Sequence, residues 1–261
     1  MRKLIVMWTF LKIGILNEFA YRVNFYVQVF QSAVSLGQAL LGVYVVFLHT
    51  ESLGDWRSYD LLALIGVFVI VGGAISIVIR PSMMQLMTDV RRGTLDYTLT
   101  KPEDAQFLVS ISQFRIWKAT DFVLGGIVLS YALIKRGTDV GAVDALTFGL
   151  VLLCGAATIY SFFLVLSTIS FWYIKVENIL NIFDAMVQAG RWPIGIYPHW
   201  LRFVLTFIVP VAFAITVPAR ALTGRLDSES LTAAILVAAG MLIASRLFWR
   251  WGLRHYSGAS A

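Results

Sequence analysis

The chain has 261 residues, 59% of them hydrophobic and 14% charged, with a formal net charge of +6 and a single cysteine. A water-soluble domain carries about 25% charged residues, so this composition excludes a protein that covers its whole surface with polar groups and makes lipid its solvent. Lone Cys154 excludes an intrachain disulfide and a cysteine metal cluster. Basic residues lying between apolar runs point to headgroups and not to nucleic acid.

In residues 2–22, Leu4, Ile5, Trp8, Leu11, Ile15 and Phe19 recur at three- and four-residue spacing, with Arg2, Lys3, Lys12, Glu18 and Arg22 elsewhere. This pattern predicts an amphipathic interfacial helix; the alternative is an extension of the first span. No small-residue cleavage site follows the basic start, so the N-terminus is expected to be retained. Residues 23–48 carry no charge and form the first expected span, long enough to cross a core of about 30 Å. Gln28, Gln31 and Gln38 within it imply a face buried in protein.

After a polar loop at 49–60, the charge-free run 61–79 is the second span, where Gly66, Gly72 and Gly73 allow close helix approach. Arg80 and Pro81 are expected to end the core of that span at the headgroup level, and 80–110 is the longest strongly charged loop. The third span is expected at 111–134, with Lys118 and Asp121 spaced to pair. Residues 145–174 form the fourth and 231–249 the last, where Arg246 and Arg250 are placed to snorkel and Trp249 and Trp251 suit an interfacial belt. Between these, 176–224 admits two readings. Either 176–196 crosses and 199–224 is a broken re-entrant element, or 203–221 crosses despite Pro210 and Pro218 and 176–200 lies on the near surface.

Both readings give six spans with both termini on one side. With the N-terminus inside, thirteen cations fall in 1–22, 80–118 and the C-terminal end, against five outside: Arg57, Lys135, Arg136, Arg220 and Arg225. The positive-inside rule therefore predicts a multi-pass protein with both ends in the cytoplasm.

The chain has no GxxxxGKS/T phosphate loop, no HExxH and no CxxC pair. Its best intramembrane acid is Asp121, beside Lys118, and no enzyme chemistry is expected of it. Two polar features remain. Glu177, Asn181, Asp184, Gln188 and Arg191 alternate at four and three residues, which puts them on one helix face. Such a face lines a protein-filled or watery path if the helix spans, and faces solvent if the helix lies on the surface. In the loop, Asp89, Arg91, Arg92, Gly93, Thr94, Leu95 and Asp96 form a short charged element, either a docking site for a soluble partner or a solvated loop that only orients the protein.

The string Arg91-Arg92-Gly93-Thr94-Leu95-Asp96-Tyr97-Thr98-Leu99-Thr100-Lys101-Pro102 resembles the loop after the second span of type-2 ABC exporter permeases. Tyr197-Pro198-His199-Trp200 through Pro210, Pro218-Ala219-Arg220 and Gly224 is similar to their proline-punctuated segment before the last span. The ending Gly252-Leu253-Arg254-His255-Tyr256-Ser257-Gly258-Ala259-Ser260 looks like that of one bacterial branch. The resemblance implies an all-α integral membrane fold of six transmembrane helices, with an N-terminal interfacial helix, a coupling element at about 83–97 and a re-entrant element at 199–224. It makes 176–196 the fifth span.

It also implies a permease in the bacterial inner membrane that exports an amphiphilic drug, lipid or lipopeptide. Two copies of a separate ATPase would bind ATP and magnesium, so this chain needs no cofactor of its own. A second permease chain, a paralogue or a copy of this one, would complete it. Glu177, Asn181, Asp184 and Gln188 would face the seam between the permeases. The competing readings are an ATP-independent transporter or channel subunit, which would show an inverted repeat, and a membrane scaffold.

Overall fold

The computed structural model describes residues 2–19, 22–137, 140–173 and 177–256, and among them every regular element is helical. The chain opens with α1 (Arg2–Phe19) and α2 (Arg22–Phe47). Gly14 of α1 sits against Phe114, and Ile5, Trp8, Ile13 and Leu16 stay exposed. On α2 the buried line is Ser32, Ala39 and Val43, with Leu36 half-buried. Gln31 and Gln38 are exposed and Gln28 is half-buried, so the glutamines do not follow the fully buried line of this helix.

The second long helix departs from expectation. α3 (Ser58–Ala74) continues through a π-helical turn, Ile75–Ile79, into α4 (Arg80–Arg92) as one helix of 35 residues. At 1.5 Å per residue it is about 52 Å long, well over the roughly 30 Å of a hydrocarbon core. Arg80 and Pro81 therefore do not end the helix, and 80–92 is no loop. Proline lacks an N–H and would leave the Ile77 carbonyl open. The amide of Arg115 fills that vacancy, donating to the Ile77 carbonyl at 2.8 Å.

Gly93, with φ of +70°, closes α4 in the left-handed conformation that glycine tolerates. Two short helices follow, α5 (Asp96–Leu99) and α6 (Ala105–Ser110). Residues 111–115 are not helical, because the chain there is bonded sideways to α4; the third long helix starts at a 3-10 turn, Ile116–Lys118, and continues as α7 (Ala119–Arg136). α3 and α7 cross at glycines. A Cβ on Gly125 would stand 2.8 Å from the Gly66 carbonyl oxygen, and one on Gly66 would stand 2.8 Å from the Leu129 amide nitrogen. Gly72, expected to share this role, faces open space.

α8 (Ala142–Thr168) runs on through a 3-10 turn to Phe171. The expected boundary between fourth and fifth spans, at 174–176, lies outside the described residues. α9 (Glu177–Ala189) has 13 residues, about 20 Å, and is too short to cross alone. A turn at 190–193 and a 3-10 turn, Ile194–Ile196, follow it. Then come α10 (His199–Phe203) with a π-helical turn Val204–Ile208, and, after a 79° bend at Pro210, a second π-helical turn Ala212–Thr216 with α11 (Val217–Leu222). Arg202 of the first arm and Arg220 of the second line one hollow with Asp227 and Glu229. Val209 and Val211, on either side of Pro210 at the bend, are fully buried.

The last helix is α12 (Ser228–His255), capped by Asp227, whose carboxylate accepts the Ser230 amide at 3.0 Å. It packs on α8 where Gly252 meets Thr168 and Phe171. Trp249 is buried against Phe171 (ring centroids 5.3 Å apart), not placed in an interfacial belt, whereas Trp251 is half exposed and stacks on Trp172 at 4.8 Å. Among the described residues five helices are long and apolar enough to cross a bilayer, and the bent pair is a sixth only if counted as one span.

Candidate functional site

Three constellations stand out, one at each end of the bundle and one within it. The first is built on α4. Met83, Leu86 and Met87, at helical spacing, bury one face of α4. Ser82 Oγ donates to the Gln113 carbonyl at 3.1 Å and accepts the Gln113 amide at 3.2 Å, so the helix also holds the following strap.

Asp89 is the pin of the turn after α4. Its carboxylate accepts from Gln85 Nε2 at 2.8 Å and Thr94 Oγ1 at 3.0 Å, and its carbonyl accepts the Thr94 amide at 2.9 Å. Leu95 is fully buried beneath it. Asp89, Thr94 and Leu95 therefore work inward, with Gly93 supplying the bend. The outward face is Arg91, Arg92 and the 74%-exposed Tyr97, followed by Leu99 and Lys101, with Asp96 half-buried between. Tyr97 escaped the sequence-based choice of site residues, because a tyrosine in a short loop carries no periodic signal of exposure.

The strap 104–110 is tied to two long helices. Asp104 caps α6 by accepting the Phe107 amide at 3.1 Å and forms a two-pronged ion pair with Arg246 of α12. Arg246 also donates to Gln106 Oε1 at 2.8 Å, and Tyr160 of α8 bonds to Gln106 and Ser110. Arg246 thus does not snorkel freely to headgroups. Its hydrogen bonds hold the Asp104 carboxyl below the ordinary carboxylate value.

The second constellation lies along α9. Arg80 pairs with Asp184 at 2.8 Å and donates to Asn181 Oδ1 at 3.2 Å; Arg191 donates to Gln188 Oε1 at 3.0 Å. The side chain of Glu177 lies outside the described residues. The stripe is thus partly satisfied within its own chain, yet Asn181 and Gln188 remain exposed while Leu180 and Val187 face the core. The Arg191 guanidinium lies over the Phe68 ring, 5.4 Å from the centroid. An arginine at the centre of a span costs about 2.5–3.5 kcal/mol on insertion scales. Here the helix has already given way to a turn, and the charge faces a hollow of about 270 Å³. Gln31, Ser32, Ser35, Ser76, Lys118, Asp121 and Gln188 line it too.

The third was not anticipated. Asp60, 2% exposed at the start of α3, takes Arg136 from the end of α7 and Arg225 from the turn before α12, each at 2.7 Å. Arg225 also donates to the Asp55 carbonyl at 2.6 Å and lies over Trp56. In sequence these were loop charges; the only signal was an acid immediately ahead of an unbroken apolar run.

An all-helical bundle with five to six bilayer-length segments, polar groups turned to an internal hollow and a clamped charged turn at one end is the architecture of a multi-pass membrane transport protein. The chain belongs to the ABC-2 family of transporter proteins, whose family model matches residues 33–260. It is accordingly the membrane permease of an ABC transporter, a transport subunit and not itself the catalytic one, of a kind that works with an ATP-binding subunit. No curated protein matches the chain, and no solved structure does.

Proposed function

We propose that this chain is the permease of an exporter in the cytoplasmic membrane of a bacterium, with both termini inside, driven by two copies of a separate ATPase docked at about 83–97. The observation that carries the reading is the outward face of Arg91, Arg92 and Tyr97 on a turn clamped to the bundle. Asp89 stiffens that turn from within, and the Asp104–Arg246 pair ties the following strap to α12. A docking element must be rigid to transmit motion, since only a differential affinity of the permease states for the ATPase states shifts their populations.

α2 and α9 supply the seam with a second permease chain. Gln31, Ser35 and Gln38 on α2, and Asn181, Ala185 and Gln188 on α9, are exposed at helical spacing. Small and polar residues at such spacing pack against another helix more readily than against lipid. The hairpin 199–222 plugs the outer side. The cargo is an amphiphile.

The test is capture. The tagged chain, purified from its own cells, is expected to bring down an ATP-hydrolysing chain. Arg91→Glu with Arg92→Glu is expected to reduce that capture by about tenfold, the scale of lost charge-pair contacts, with the permease inserted at normal level. Undiminished capture overturns the assignment.

A further inference from the structure

We propose that the hollow between α2, α3, α7 and α9 binds the anionic headgroup of an amphiphile, a carboxylate or phosphate monoester, with Arg191 as its receptor. This rests on the permease reading and gives the cargo a charge. Lys118 and Asp121 pair across 3.8 Å and cancel. Arg191 faces the same hollow, yet among the described residues no carboxylate pairs with it. It donates once, to Gln188, and its buried Nε has no partner.

A cation–π contact with Phe68, 5.4 Å from the ring centroid, helps hold the guanidinium at the hollow. A cation held on a hollow between helices, with no carboxylate paired to it among the described residues, is a binding feature. The planar fork of arginine matches the two oxygens of a carboxylate or phosphate. A volume of about 270 Å³ takes a headgroup and a few methylenes but not a whole lipid. The tail then falls to the apolar side chains exposed beside Gln31 and Ser35 on α2, Phe30 and Val34. Cationic amphiphiles are disfavoured, because among the described residues the one carboxylate lining the hollow, Asp121, already has Lys118.

The experiment uses the full chain with its captured ATPase in zwitterionic nanodiscs and reads tryptophan emission, Trp192 being adjacent to Arg191. The probes are a dibrominated long-chain fatty acid, the matching alkyl phosphate, the methyl ester and the amine. The acid, the phosphate or both are expected to quench more than the ester. That excess should be lost in Trp192→Phe and weakened by at least about tenfold in Arg191→Gln, the loss of a charge-assisted bond pair. Arg191→Lys, which keeps the charge and the fold, is expected to fall between. Equal quenching by acid, phosphate and ester, an excess surviving Arg191→Gln, or stronger quenching by the amine each overturns the proposal. ATPase capture by the Arg191 variants, which tests the permease reading separately, is expected to be unchanged.

Discussion

Asp104 and Arg246, 142 residues apart, meet in a two-pronged ion pair that ties the strap after the docking turn to the last helix. Asp104 does two jobs there, capping α6 and holding Arg246. Substitution separates them. Asp104→Asn keeps a good cap and loses the ion pair, and because both side chains are about one-third or more exposed the expected cost is under about 1 kcal/mol. Asp104→Ala loses both and is expected to cost about 1 kcal/mol more. Thermal denaturation of the purified variants checks the order.

The same carboxylate sets a pH dependence. Its folded-state value is depressed, so its contribution is complete above the ordinary carboxylate value and is lost as pH falls through the depressed one. Melting temperatures of the native chain minus those of Asp104→Asn are expected to be constant from neutral pH down to the ordinary carboxylate range and to close only below it. A difference that vanished between neutral and mildly acidic pH would contradict the pairing.

Asp60 carries more. Removing one partner from a buried ion cluster costs about 3–5 kcal/mol, because the remaining charges stay desolvated. Arg136 and Arg225 keep 25% and 30% of their side-chain surface exposed and can turn partly to water, so about 3 kcal/mol is expected for Asp60→Asn. Arg225→Gln leaves Arg136 in place and is expected to cost less. Detergent-resistance assays on the three proteins rank them.

At the α3–α7 crossing, Gly66→Ala and Gly125→Ala would each drive a methyl into backbone at 2.8 Å. Overpacking of this kind costs about 1–3 kcal/mol. Gly72→Ala meets nothing within 4 Å and is expected to be neutral or slightly stabilising. If all three variants melt together with the native protein, the helices do not approach as described.

Pro81 exposes a carbonyl that Arg115 uses. Pro81→Ala would add an N–H competing for the Ile77 oxygen, so hydrogen exchange at the Arg115 amide is expected to quicken several-fold while the rest of α4 is unaffected. Unchanged protection would show that the proline plays no part in fixing the strap.

The apolar runs at 23–48, 61–79, 145–174 and 231–249 declared a membrane protein because hydropathy is a local property: each segment carries its own preference for lipid. The glycine that closes α4, Gly93, acts locally too, since a left-handed turn is decided by one residue, but the sequence reads it only as part of a charged loop element. Pairings are not local. Neither Asp60 nor Asp104 differs in its sequence neighbourhood from any loop acid, and Arg246 looked like a cation bound for headgroups. Only the approach of helices distant in sequence decided which charges would find each other. It also decided that α3 runs on past a proline, because the donor that satisfies Ile77 arrives from 38 positions later in the chain. The sequence determined the solvent, the class of fold and the charged turn; the tertiary structure decided which side of that turn faces out and that Arg191 is left facing a hollow without a countercharge, because both depend on contacts that free energy sets only once the bundle has formed.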